Sequence, residues 1–424
     1  MATQTTSETT PQAAQETALE TALETAPQTA PQTAQETAQE AASQTATQTQ
    51  EQTSTPNAAS EQPQPLIRQW IALKDGSCDV RYGQHAIGQL GAILRTAVGV
   101  PYKLALVRDS CVSDEVFEEI QRNLTSQGFR VTCVHLQDAD EPSLSLVETL
   151  CTSFLDMGLT SDDYICVVGD VTLIALVGAA ARVWCQGTPV CAVPLSFHAL
   201  IDAATLPQML TLNKVPAMLS LSAHYDQVVC DTSLIHFDLH DQDAQYARLM
   251  MIATCMAESS QAFSKLWDAS YDLMDTNFET FSAQLLETLK IRGRIISSSA
   301  LAVRNAASYG VSFARALQKV SHATYTACFA ESLRFCARLA CALEHLEIDD
   351  VLAQDELLDR FECGSVCEDI DPQQLFCALK DELFLRSHKA QLPLPQALGR
   401  VRMTSVTDEL LHEHIDAWCM AHKE

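Results

Sequence analysis

Residues 165–202 read ICVVGDVTLIALVGAAARVWCQGTPVCAVPLSFHALID, and their order decides the fold. The run from Ile165 to Val168 is apolar and closes on Gly169, the pattern of a short strand buried on both faces. The stretch after Asp170 is rich in alanine and leucine, which favour helix and leave little bulk between a helix and the sheet it covers. Gly187 then turns the chain into a second apolar run ending at Pro194. Strand, tight turn, helix and strand in that succession form a βαβ unit, which implies parallel pairing with a crossover.

Working outward, the same alternation continues towards the amino terminus. Ile71 to Tyr82 alternates weakly, as an edge strand or hairpin does, and Gly88 to Val98 reads as a short helix. LALVRD (Leu104 to Asp109) is a buried strand ending in a carboxylate. Ser113 to Gln127 is a helix in which Ser113 caps the first turn, and Glu115 and Glu118 place negative charge at the positive end of its dipole. FRVTCVHL is the next strand and Leu144 to Gly158 the next helix. Such alternation predicts a Rossmann-like half. After Asp231 the strands stop. Asp243 to Ser259, Ser260 to Asp275, Asn277 to Ser298, Ala300 to Val320, Ser321 to Glu347 and Val351 to Glu362 read at helical period, and Gln391 to Val401 is a strand pair before a last helix, Asp408 to Met420. The expected fold class is α/β plus all-α. A Rossmann-like parallel-sheet domain over residues 66–240 is followed by a helical domain over 241–424.

Residues 1–65 differ in kind, being almost entirely Thr, Gln, Ala, Glu, Ser and Pro with quasi-repeats such as QETA and PQTA. They hold too little apolar surface to offset chain entropy, so a disordered tail is expected. The net charge of −27, with no basic block of five or more residues, argues against nucleic-acid and anionic-membrane partners. The 16 cysteines stand singly in apolar runs, without CxxC pairs, and the amino terminus has no basic and apolar leader pattern. They read as reduced, buried thiols of a cytoplasmic protein. Asp170 and Arg182 interrupt the longest apolar run, which argues against a membrane span.

From about Tyr82 to Leu411 the ordered series of these segments resembles the 3-dehydroquinate synthase family of sugar phosphate cyclases. LALVRDSCV resembles the family's first nucleotide strand, and GLTSDDYICVVGD its run into a glycine-rich phosphate loop. VPLSFHALID stands where the family has Val-Pro-Thr-Thr, Leu-Leu-Ala and an Asp; QVVCDTSLI matches the next strand. LAVRNAASYGVSF and TACFAESLRFCARLA resemble two core helices, and the residues from Ala378 to Leu411 the tail. The resemblance implies NAD as cofactor, a sugar phosphate or nucleotide as small-molecule ligand, and a homodimer. In the family, zinc polarises the substrate's oxygens, and cations hold its phosphate.

Carried over by position, that machinery is largely missing. The zinc-binding Glu and two His fall on Leu249, Val311 and Thr324, which cannot form a three-ligand zinc site, so no metal ligand is assigned. Family lysines fall on Gln208, on Ile252 and near Phe384, and a family arginine falls on Gln186. The three loop glycines are reduced to Gly169, followed by Asp170 and Val171, and a family Asp falls on Ala175. A carboxylate at that turn repels phosphate. The survivors are Asp202, Arg304 and Lys290 (or Arg292) as candidate catalytic residues, with Asp109, Gly169, Ser196 and Asp202 as candidate cofactor contacts. His236 and His240, four apart in HFDLH with Asp241 and Asp243 close behind, could share a helix face as metal ligands, but a solvated loop is the simpler reading. His412 to His414 read as a surface feature of the last helix, and Ser297 to Ser299 have no accompanying base. The losses together imply a family member that keeps the fold without the cyclase reaction and serves as a binding or assembly protein. An active 3-dehydroquinate synthase with a rebuilt site is the alternative, supported by Asp109, Asp202 and Arg304.

Overall fold

A computed structural model of the chain describes residues 65–99, 102–108, 110–136, 141–221, 224–275 and 277–423. The expected disordered tail and Asp109 lie outside the described residues. The sheet-forming half runs β1 (Ile67–Leu73), β2 (Gly76–Gly83), α1 (Leu90–Val98), β3 (Lys103–Arg108), α2 (Asp114–Ser126), β4 (Arg130–His135), α3 (Leu144–Asp156), β5 (Tyr164–Gly169), α4 (Val171–Val183), β6 (Val190–Pro194), α5 (Phe197–Thr205), β7 (Gln208–Leu212), β8 (Val215–Leu221) and β9 (Gln227–Asp231). Seven of these strands form one sheet in the order β1-β2-β9-β6-β5-β3-β4, parallel except for the β1/β2 hairpin at one edge.

Both faces of that sheet are covered, and the strand sequences show it. Ile165 and Val167 of β5 join one buried cluster while Tyr164, Cys166 and Val168 join the other, and β3 and β6 divide in the same way. A strand buried on both faces therefore reads as a continuous apolar run rather than an alternating one. Helix α4 sits close enough to β7 that a Cβ at Gly178 would lie 2.8 Å from Gln208 Cγ. The strand end at Asp231 is a structural junction. Its buried carboxylate accepts the backbone N–H groups of His85 (2.9 Å), Ile87 (3.0 Å) and Ser233 (3.0 Å), fastening β9 to the chain that enters α1.

The helical half follows as α6 (Gln242–Glu258), α7 (Ser260–Met274), α8 (Phe278–Ser297), α9 (Leu301–Arg304), α10 (Val311–Val320), α11 (Tyr325–Ala342), α12 (Ile348–Arg360) and α13 (Pro372–Arg386). The hairpin β10 (Gln391–Ala397) and β11 (Arg400–Ser405) precedes α14 (Asp408–Ala421). One apolar cluster runs without a break from the α4/α5 face of the sheet into α6, α8 and α11, so the halves share a core. Among the described residues no helix is long and apolar enough to cross a membrane.

Three expectations about elements are corrected. Ala300 to Val320 is not one helix: α9 passes through a 3-10 turn at Asn305–Ser308 to Gly310, whose φ of +80° begins α10 anew. Ser321 to Glu347 shortens to α11, because Thr324 stops extension backwards by capping Ala327 N–H (3.3 Å) and Glu344 has a φ of +57° beyond its carboxyl end. His412 and His414 are half-buried rather than free surface; the His412 ring stacks on Phe376 of α13 at 3.5 Å.

Candidate ligand cleft and the polar network beside it

The position of the cleft follows from strand order. The chain leaves β3 towards β4 on one side and returns to β5 on the other, so loops diverge above the carboxyl ends of β3 and β5 and leave a crevice. A cleft of about 420 Å³ lies there, lined by Cys111, Val112 and Ser113 after β3, Asp170 after β5, Leu195 and Ser196 after β6, and Leu234 and His236 after β9. Helix α4 opens on this cleft with Asp170 at its N-cap, and the Asp170 side chain does not cap the helix. Asp170 instead accepts a hydrogen bond from Ser196 Oγ at 2.7 Å.

The amino end of α5 is different, because the protein supplies its own anion there. Asp243, in the first turn of α6, accepts the backbone N–H of Phe197 (2.6 Å) and of His198 (2.8 Å) with its two carboxylate oxygens. Helix amino ends attract negative groups through unpaired N–H groups and the dipole, and here a side chain of the helical half takes that place. Burial raises the Asp243 pKa, and the two N–H bonds oppose the shift.

Beside this junction the side chains form a compact polar network. His198 Nε2 lies 3.5 Å from Asp202 Oδ2, one helical turn on, and its ring packs on Tyr246 at 3.8 Å between centroids. Tyr246 Oη is 3.5 Å from Asp202 Oδ1. Burial disfavours the charged imidazole, but the Asp202 carboxylate, aided by Asp170 and Asp243, outweighs it and raises the His198 pKa. Behind them the buried Arg292 has, among the described residues, only hydroxyl partners, Thr205 (3.3 Å) and Thr254 (3.5 Å). Burial lowers its pKa, while Tyr246 and Asp202 pull it back up. The charge of Asp202 also reaches the buried hydroxyl of Tyr325 on α11.

The residues named from sequence divide accordingly. Gly169 ends β5 at the cleft, Ser196 lines it, and Asp202 belongs to the adjoining network. Lys290 stands apart: it is exposed and 3.4 Å from Glu287, whereas Arg292 is the cation near Asp202. Arg304 donates to the carbonyls of Ser298 (2.5 Å) and Ser299 (3.0 Å), bracing the loop before α9. His236 lines the cleft, while His240 pairs with Glu362 at 3.1 Å, so the two imidazoles serve different places. Leu249 is fully buried in α6, Val311 opens α10 and Thr324 caps α11. These side chains offer zinc no donor set, and among the described residues no three His, Cys, Asp or Glu converge on a metal-sized space. Sequence reasoning missed His198 and Tyr246, and it placed Asp243 beside His236 and His240 rather than at the start of α5. The i,i+4 spacing of His198 and Asp202 was the available signal.

With this geometry in view, comparison with known proteins places the fold. No family model matches the chain. The 3-dehydroquinate synthase of Geobacter metallireducens is 27% identical over 135 residues, 32% of this chain and 37% of that protein. A putative aminodehydroquinate synthase of Amycolatopsis mediterranei is 36% identical over 114 residues, 26% of this chain and 32% of the relative. The matched stretches thus span about a third of these curated relatives. Among solved structures, 2-deoxy-scyllo-inosose synthase in complex with carbaglucose-6-phosphate, NAD+ and Co2+ aligns with a TM-score of 0.70 at 15% identity, over 82% of this chain and 99% of that one. The 2-epi-5-epi-valiolone synthase of Streptomyces hygroscopicus subsp. jinggangensis, with NAD+ and Zn2+ bound, aligns with a TM-score of 0.67 at 16% identity, over 82% and 98%. The fold is that of the sugar phosphate cyclases. Over the matched stretches the chain is similar to the 3-dehydroquinate and aminodehydroquinate synthases.

Proposed function

We propose that this protein is a degenerate sugar phosphate cyclase, a binding protein that keeps the cyclase scaffold without its metal-dependent ring-closing reaction. The observation that carries the reading is the set of side chains at the family's metal positions: Leu249, fully buried, Val311 and Thr324. A zinc site needs three protein ligands with nitrogen, sulfur or carboxylate donors, and these positions offer two aliphatic chains and a hydroxyl already engaged as a helix cap. Two further features agree. Gln208 and Ile252 stand where the family has lysines, and both are buried.

For a dinucleotide the fit is partial. Gly169 and the uncapped amino end of α4 could face a pyrophosphate, with Ser196 as a hydrogen-bonding partner, but Asp170 sets a negative charge in the same turn. Bound NAD would supply a hydride acceptor; the residues here would position it only after overcoming that repulsion. The cleft therefore suits a neutral or weakly charged small molecule better than a pyrophosphate. The test is to supply purified protein with NAD, zinc and a heptulosonate phosphate, following phosphate release and measuring bound metal. Expected are no turnover, no stoichiometric zinc and NAD binding no tighter than millimolar; turnover with one zinc per chain would overturn the reading.

A further inference from the structure

At the amino ends of β6 and β9, on the opposite edge of the sheet from the crevice, a second cavity of about 240 Å³ opens beside the end of α4. Helix α4 lines it with Gly178, Ala181 and Arg182, spaced three and four apart, so two small residues leave a hollow and a guanidinium stands at its rim. The segment entering β9 contributes His224 and Asp226. Asp226 is fixed in place: its Oδ2 accepts the Val190 N–H at 2.9 Å, and its own N–H donates to the Val190 carbonyl at 3.1 Å. Burial raises the Asp226 pKa, while the Val190 N–H, His224 and Arg182 oppose the shift. Among the described residues no ion pair joins Asp226 to Arg182 or His224, although all three line one cavity. The turn at its wall runs through Cys185, Gln186 and Gly187 with φ of +47°, +66° and +117°. Such a turn persists only where its surroundings over-determine it, and here Gly187 N–H holds the Trp184 carbonyl at 2.8 Å and Thr188 N–H the Ala181 carbonyl at 3.0 Å.

A guanidinium and a carboxylate that share a cavity without pairing leave room between them for a molecule that carries both opposite charges. We infer that this cavity binds a free α-amino acid, with Arg182 taking its carboxylate and Asp226 its ammonium group. The guanidinium offers a planar fork of N–H donors to the carboxylate, and the Asp226 carboxylate accepts from the ammonium. Because Arg182 and Asp226 cancel, the cavity suits a net-neutral zwitterion better than an anion or a cation. The Gln186 side chain adds a polar group at the same wall. A volume of about 240 Å³ is the liquid share of roughly eight waters, which suits an amino acid with a small side chain. The site lies at the other end of the strands from Asp170 and Asp202, so it goes beyond the proposed function and stands or falls separately.

Full-length protein would be titrated with L-alanine and L-valine by calorimetry and thermal shift, in parallel with N-acetyl-L-alanine, which lacks the ammonium, and L-alaninamide, which lacks the carboxylate. Glycine betaine, a zwitterion without an N–H donor, controls for general solute effects on Tm. The expected result is saturable binding of L-alanine or L-valine, with a rise in Tm that none of the three controls gives. Arg182→Gln, at an exposed position, is expected to weaken binding roughly tenfold or more while leaving the circular dichroism unchanged, and Arg182→Lys to retain part of it. Asp226→Asn keeps an oxygen for the Val190 N–H and should weaken binding to a similar degree; if that variant loses structure, the two Arg182 variants decide. No saturable binding of either amino acid, equal binding of either singly charged analogue, or Arg182→Gln binding like the parent overturns the site. So does displacement of the amino acid by NAD, which would place it in the cleft at the carboxyl ends of the strands.

Discussion

At the residue scale, the titratable groups show what environment does to identical chemistry. Glu331 is buried on α11 and receives Trp418 Nε1 at 3.1 Å and His422 Nε2 at 3.0 Å, the latter stacked on Trp418. The hydrogen bond to Glu331 raises the His422 pKa against the effect of burial. A histidine whose folded pKa exceeds its unfolded value contributes its full stability below about pH 6.5, and loses it as pH rises through the folded value. His422→Gln should therefore lower stability at pH 6 by about 1 kcal/mol, because the ring is partly solvated. The loss should shrink above neutrality; urea unfolding of both proteins across pH 5.5 to 8.5 measures it, and a pH-independent difference would contradict the pairing. The candidate site was only half legible at this scale. Gly169, Ser196 and Asp202 could be named because the family resemblance carries those positions over. Asp243 could not, since it meets α5 from 45 residues away along the chain, and no local pattern encodes that contact.

At the element scale, close approach between segments sets the tolerances. Gly293 of α8 faces the edge hairpin; a Cβ there would lie 2.5 Å from Ile71 Cγ2 and 2.9 Å from the Ala72 carbonyl oxygen. Alanine is the better helix former by about 1 kcal/mol, but overpacking against backbone costs about 1–3 kcal/mol. Gly293→Ala should accordingly destabilise, lowering the urea midpoint at unchanged m; a raised midpoint would show that β1 yields easily. The βαβ core was readable because strands buried on both faces and a small-residue helix have no competing interpretation. Helix α13 was overlooked despite a local signal, Asp371 capping Gln373 N–H at 3.1 Å with Pro372 in the first turn. The β7/β8 hairpin was missed because its turn uses Asn213 and Lys214 at φ of +50° and +64°, without the glycine that usually announces such a turn. The break at Gly310 was hidden by an apolar period that continues through it. There a side chain would meet Leu333 and Phe329 at 2.9 Å, so tertiary packing rather than helical propensity ends the segment.

At the scale of the whole molecule, the sheet half and the helical half share one apolar core, and polar contacts secure the junction between them. Leu249, Ile252 and Gln208 are buried within that architecture. The clasp of Asp243 on the first amides of α5 also has a dynamic consequence. It bolts the start of the first helix of one half to the helix entry of the other, at the place where a hinge between them would have to flex. Opening would break two charge-assisted hydrogen bonds at once, so the halves should breathe as a single unit whether or not a ligand is present. In hydrogen–deuterium exchange, the amides of Phe197 and His198 should be protected equally in apo protein and with saturating nucleotide. Protection that arises only on addition of nucleotide would show that the bolt slides.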